Sequence, residues 1–125
     1  MSAQNVLSVG DKWYSYSGEI QGDVSVPASI SMILIPNTGL RDSFILVEPF
    51  YGQPISATTG EGLGIEVKIN DVTVINNQSS RHPYDIIHNT FSIFVPRQSK
   101  LEVISLNTSS NNTQIRGCNL IGYYL

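Results

Sequence analysis

Charge is the first thing this chain of 125 residues has little of. Lys, Arg, Asp and Glu together make up 14% of it, against a typical ~25%. Seven Lys/Arg stand against ten Asp/Glu, for a net charge of −3, and no run of like charge occurs. Binding to a phosphate backbone depends on clustered cations, so the sequence argues against nucleic acid as a partner. Long apolar runs are also missing: none approaches the ~18–20 residues of a membrane helix. The start, Met1-Ser2-Ala3-Gln4-Asn5, has no basic segment leading into an apolar one, so no secretory signal is read from it. Cysteine is reduced to Cys118, which closes no intramolecular disulfide and suits a reducing compartment. In that setting Asn77-Gln78-Ser79, Asn107-Thr108-Ser109 and Asn111-Asn112-Thr113 read as Asn- and Ser-rich turns, not glycosylation sites. Alanine, the best helix former, occurs three times, which removes most of the support for helices.

What is present points one way. Ile (15), Val (10), Leu (9) and Phe (4) make 38 of the 125 residues, well above the ~20% at which disorder is expected. The chain also has 16 Ser, 10 Asn, 10 Gly and 6 Pro. β-branched residues suit pleated, half-buried surfaces, whereas Ser, Asn, Gly and Pro populate turns. The expectation is a single all-β domain, since this length supports one core.

Periodicity places the strands. Residues 1–12 show little of it and no turn that would close them onto the first strand. They are read as an extended N-terminal arm, loose or ordered against a neighbouring subunit, with the domain spanning 13–125. Trp13–Ile20 alternates, Ser29–Ile35 alternates and then turns fully apolar as in a strand covered on both faces, and Pro36-Asn37-Thr38-Gly39 is a turn signal. Ser43–Val47 comes next, ended by Pro49, with Phe50-Tyr51-Gly52-Gln53-Pro54 as an aromatic loop. The pattern over Gly64–Asn76 predicts a hairpin with a two-residue loop at Asn70-Asp71, setting Ile69 against Val72 and Val67 against Val74. A polar, irregular stretch around Arg81-His82-Pro83 separates it from strands over Phe91–Val95 and Leu101–Leu106. The last strand, Gln114–Leu125, is apolar on both sides: Ile115, Ile121, Tyr123 and Leu125 on one, Cys118, Leu120 and Tyr124 on the other. Gly117 and Gly122 are expected to be bulges or points of close backbone approach. Seven or eight short strands without βαβ alternation predict a two-sheet antiparallel sandwich of jelly-roll type.

Catalytic patterns are weak. Cys118 with His82 or His88 could be written as a nucleophile and base, but a thiol in a buried strand is inert. The two histidines lack a third nearby ligand for zinc. Glu48 and Glu61 flank the aromatic loop as a carboxylate pair, a pattern that many acidic pairs would match. Gly60-Glu61-Gly62-Leu63-Gly64 lacks the helix and the Lys-Ser/Thr of a phosphate loop. No enzyme, metal or cofactor is expected. Tyr and Trp supply rigid contact area and favour interfaces, so Trp13, Tyr14, Tyr16, Tyr51, Tyr123, Tyr124 and Leu125 are the interface candidates.

Phe91-Ser92-Ile93-Phe94-Val95-Pro96 leading into Leu101-Glu102-Val103, the Asn/Ser/Thr turn after it and the ending Leu120-Ile121-Gly122-Tyr123-Tyr124-Leu125 carry a resemblance. So does Ile35-Pro36-Asn37-Thr38-Gly39-Leu40-Arg41-Asp42. Over residues 13–125 the chain resembles the small jelly-roll proteins that tailed bacteriophages use as capsid cement (decoration) proteins and as fibre heads. The resemblance implies a homotrimer seated on the major capsid protein lattice, on the capsid exterior of a virion and made in the host cytoplasm. It supplies no catalytic residues. The alternative expectation is a receptor- or glycan-binding head domain of a phage fibre or tail, which would gather exposed aromatics such as Trp13 and Tyr51 in a concave site.

Overall fold

The computed structural model describes residues 7–18, 20–22, 29–51, 63–79, 90–107 and 114–125. These form ten strands: β1 (Leu7–Val9), β2 (Lys12–Tyr16), β3 (Ile20–Gly22), β4 (Ser29–Ile35), β5 (Ser43–Tyr51), β6 (Leu63–Ile69), β7 (Val72–Ser79), β8 (Phe91–Val95), β9 (Leu101–Asn107) and β10 (Gln114–Tyr124). One sheet runs β1-β2-β10-β5-β8, with β3 also paired to β10, and the other runs β4-β9-β6-β7. Every pairing is antiparallel.

The order defines the topology. Setting aside the three-residue β1 and β3, the first strand pairs with the last (β2 with β10), and the second with the seventh (β4 with β9). The third then pairs with the sixth (β5 with β8), and the fourth with the fifth (β6 with β7). These four pairs fall alternately in the two sheets. Such an arrangement is one long antiparallel hairpin rolled up on itself, the jelly roll that the sequence predicts.

The core lies between the sheets. Ile45, Val47, Cys118 and Leu120 from one sheet share it with Ile33, Ile65, Val67, Leu101 and Val103 from the other, all buried. β4 carries a bulge between Ser31 and Ile33, so the consecutive Met32 and Ile33 are both buried. That bulge accounts for the loss of alternation expected there.

The hairpin at Asn70-Asp71 forms as the pattern predicts. Both residues have positive φ, 52° and 68°, the requirement of a type I′ turn, and Asn and Asp tolerate it. Ile69 faces Val72, but Val67 faces Ile75 and not Val74. A bulge beside Val67 inserts one residue, and one residue reverses the faces. Val74 is consequently exposed, while Ile75 packs on the core; Val72, opposite Ile69 beside the turn, is exposed as well.

Two other expectations are corrected. β5 does not end before Pro49 but continues to Tyr51, pairing Pro49 with Cys118 and Phe50 with Gly117. β8 pairs only with Ser43–Val47, so Pro49 sits where that edge of β5 has no partner among the described residues, and a missing N–H is tolerated there. The leading segment does turn back: Leu7–Val9 pairs with β2 across Gly10-Asp11. Gly10 has φ 61°, the conformation that a two-residue hairpin loop asks of its first central position. The domain therefore takes in residues 7–12; residues 1–6 lie outside those described.

β10 is held by close approach at two glycines. Trp13 pairs with Gly122, and a Cβ at Gly122 would lie 2.0 Å from the indole. Phe50 pairs with Gly117, where a Cβ would lie 2.3 Å from its ring and 2.5 Å from the Gly18 carbonyl. At one end of the sandwich three turns clasp each other. The Thr38 amide donates to the Ser99 carbonyl (2.8 Å), the Gln98 amide to the Gly39 carbonyl (2.7 Å), and the Lys100 amide to Asn70 Oδ1 (2.9 Å).

Gly122→Ala thrusts a methyl group into a buried indole and is expected to cost about 2–3 kcal/mol. Ser92→Ala, on the exposed face of β8, should stay within about 0.5 kcal/mol. Urea titration of both variants measures the contrast.

Candidate interaction surface

The outward side of the larger sheet is set by strict alternation. Along β5, Ser43, Ile45, Val47 and Pro49 are buried, and Phe44, Leu46, Glu48 and Phe50 point away from the core. β10 buries Cys118, Leu120 and Gly122 and turns Asn119, Ile121 and Tyr123 outward, while β2 buries Trp13 and Ser15 beneath outward Lys12, Tyr14 and Tyr16. The register then lines these residues up across strands. One row reads Lys12, Tyr123, Phe44, Phe94; the next Tyr14, Ile121, Leu46, Ser92; the third Tyr16, Asn119, Glu48.

Neighbours in these rows touch. Phe44 and Phe94 meet edge to face with ring centroids 5.7 Å apart, and Tyr14 and Tyr16 stack at 6.4 Å. The Lys12 ammonium lies 5.5 Å from the centre of the Tyr123 ring, a cation–π contact. Packing among themselves still leaves Tyr16, Phe44, Phe94 and Tyr123 between 41% and 50% exposed. With ~150–250 Å² for an aromatic side chain, these four expose roughly 250–500 Å². Val9, at the flank of the same face, is also exposed. The largest apolar patch of a typical monomer is ~300–600 Å² and is often functional, so this face is comparable to it.

The residues singled out from sequence divide between this face and the core. Tyr14, Tyr16 and Tyr123 lie on it. Trp13 does not: it is 2% exposed, on the inner side of β2. Tyr124 alternates with Tyr123 onto the inner side, where it packs against the core. Its hydroxyl hydrogen-bonds with Ser8 Oγ (3.1 Å), and the Arg41 guanidinium lies 4.8 Å from its ring. Leu125 is exposed at the end of the sheet, its carbonyl accepting from Arg41 (3.3 Å). The backbone of Tyr51 pairs with Arg116 in the sheet, which removes the expected aromatic loop at that point; its side chain lies outside the description. Sequence reasoning misses Phe44, Leu46, Phe50 and Phe94. For the three on β5 the signal is the apolar run Phe44–Val47, which gives that strand two hydrophobic faces as in β10; Phe94 lies on β8.

Cys118 is buried and loss of hydration pushes its thiol up to about 12, from an ordinary 9.0, so it is not a nucleophile near neutrality. His82, His88 and Glu61, the other members of the pairs considered, lie outside the described residues. Among the described residues no three His, Cys, Asp or Glu side chains gather as a metal site, and no helix is long and apolar enough to cross a membrane. A shallow cavity of about 300 Å³, part of it open solvent, is lined by Trp13, Ile35, Asn37, Thr38 and Gly39. None of the exposed tyrosines or phenylalanines lines it.

Two measurements check this division. Trp13→Ala should destabilise by about 3–5 kcal/mol and Tyr16→Ser by less than about 1 kcal/mol, read from denaturant midpoints. For Cys118, the folded chain keeps its proton above the pH at which the unfolded chain releases it. Stability from this group is therefore intact below about pH 9 and falls as pH climbs toward about 12. Unfolding free energies of wild type and Cys118→Ala should diverge in slope only above about pH 8–9, wild type falling faster.

No family model matches the chain, and no curated protein matches it.

Proposed function

We propose that this chain is a structural virion protein: a capsid cement (decoration) protein that forms homotrimers on the major capsid protein lattice and stabilises the head. One observation carries the reading. The exposed aromatics lie in rows across the broad outer face of one sheet, the form of a surface that meets another protein. A glycan-binding head would converge its aromatics on a concavity, and Trp13, the aromatic at the described cavity, is buried. The low charge supports the same reading, because interface cores are depleted of charged residues and enriched in Tyr and Phe. A rolled β core also suits a part used in many copies, since it presents a rigid, pre-organised face and loses little freedom on docking. In this reading the protein is made in the host cytoplasm and ends on the capsid exterior, with no cofactor and no chemical step.

The test combines solution mass with co-sedimentation on purified heads of tailed phages. The expected result is a mass of three chains and binding to heads that Tyr16→Ser with Phe94→Ser weakens at least about tenfold, as loss of two aromatic anchors does. A strictly monomeric chain without affinity for capsids overturns it.

A further inference from the structure

We infer that the outer face of the larger sheet is covered by a second copy of this chain, with Lys12 of one copy paired to Glu48 of the next. The inference rests on reading the chain as an assembling structural protein and names the occupant of the face.

Charge on the face is sparse and opposed. Within the three aligned rows the outward face carries one cation and one anion. Lys12 stands in the first row on β2, and Glu48 in the third row on β5. Lys12 lies over the Tyr123 ring, and Glu48 has no ion-pair partner among the described residues. Four residues of strand separate Lys12 from Tyr16, about 13 Å, and two strand spacings separate Tyr16 from Glu48, about 10 Å. The two charges of one copy are thus about 16 Å apart, too far to meet through their side chains. Being on opposite flanks of an apolar field, they are complementary between copies: the Glu48 flank of one copy can meet the Lys12 flank of the next around a closed ring. A polyanion such as nucleic acid would find a single cation and an opposing carboxylate, and an anionic membrane the same.

Area points in the same direction. A stable interface takes about 800 Å² from each partner. The four half-exposed aromatics supply roughly 250–500 Å² of that, leaving the remainder to Val9, Lys12, Glu48 and the partly exposed Tyr14 and Leu46.

Charge exchange tests the pairing. Sedimentation equilibrium of the full chain should show an oligomer for wild type. Lys12→Glu alone and Glu48→Lys alone should each weaken association at least about tenfold, because each puts like charges together. The double variant K12E/E48K should return to within about threefold of wild type, because the pair is rebuilt with its signs reversed. Carbodiimide coupling of a mixture of unlabelled and ¹⁵N-labelled wild type is the second readout and needs no variant to fold. The Lys12 amine attacks the O-acylisourea that the carbodiimide forms on Glu48 and displaces it as the urea, which takes up the elements of water, leaving an amide; the linked peptide should contain one light and one heavy half. A monomer at every concentration overturns the inference. So do single variants that associate like wild type, a double variant no better than either single one, or a link found only within one label. An oligomer indifferent to the charge changes removes this pairing but leaves the capsid reading standing. Failure to bind heads by a chain that passes the charge exchange removes the capsid reading alone.

Discussion

The roll closes where β2 meets β10, and the contact that permits it is an indole laid across a glycine. Trp13 and Gly122 are register partners, and the ring occupies the space a side chain at Gly122 would need. β10 has β5 along its other edge, so a strand from the end of the chain becomes central to the larger sheet. Until it docks, β2 has only the short β1 beside it, because β3 also pairs with β10. Contacts between residues as distant as 13 and 122 are costly in loop entropy and form late. That closure adds β2, and with it Lys12, Tyr14 and Tyr16, to the aromatic outer face of β10, β5 and β8.

Closure fixes which side of each strand is which. The parity that turns Trp13 inward turns Tyr14 and Tyr16 out; the parity that buries Leu120 exposes Tyr123. A strand with polar outward residues would end the matter there. Here β2, β5 and β10 are hydrophobic on both sides, so a buried core and an apolar exterior arise from the same register. Ser17 keeps that register at the break between β2 and β3: its amide donates to the Cys118 carbonyl (3.0 Å), and its hydroxyl accepts from the Cys118 amide (2.8 Å). The two strands thus read as one interrupted strand against β10.

Much of this is legible in the amino acids, and the failures have physical causes. Composition and alternation predict the sandwich, the hairpin at Asn70-Asp71, the two-sided last strand and, at Gly117 and Gly122, a bulge or a close approach, of which the structure has the second. β1 escapes because three residues are too few to show a period, although Gly10-Asp11 is itself a hairpin signal. Alternation sets Val74 on the wrong side because a bulge leaves no mark in a β-branched run. Pro49 reads as a stop because a sequence does not reveal which edge of a strand is unpaired. The outer face is only half visible. Tyrosines draw notice as amphipathic residues, whereas Phe44 and Phe94 read as core, and only the cross-strand register shows that they are neighbours on the outside.

The inner and outer sides of β10 also differ in how they answer substitution, and this difference separates folding from assembly. Inside, the thiol of Cys118, the indole of Trp13 and the side chain of Leu120 are closed off from solvent in the core, so any change is felt as strain or cavity. Outside, Phe44 meets Phe94, Tyr16 stacks on Tyr14 and Tyr123 lies beneath Lys12; Tyr16, Tyr123, Phe44 and Phe94 are all half open to solvent, and their removal leaves no hole. Selection for stability alone would favour polar groups at these four positions, as it does on most exposed sheet faces. On the proposed reading, their apolar character belongs to a state in which water has left the face, and the opposed charges of Lys12 and Glu48 at its two flanks would give that state a preferred orientation.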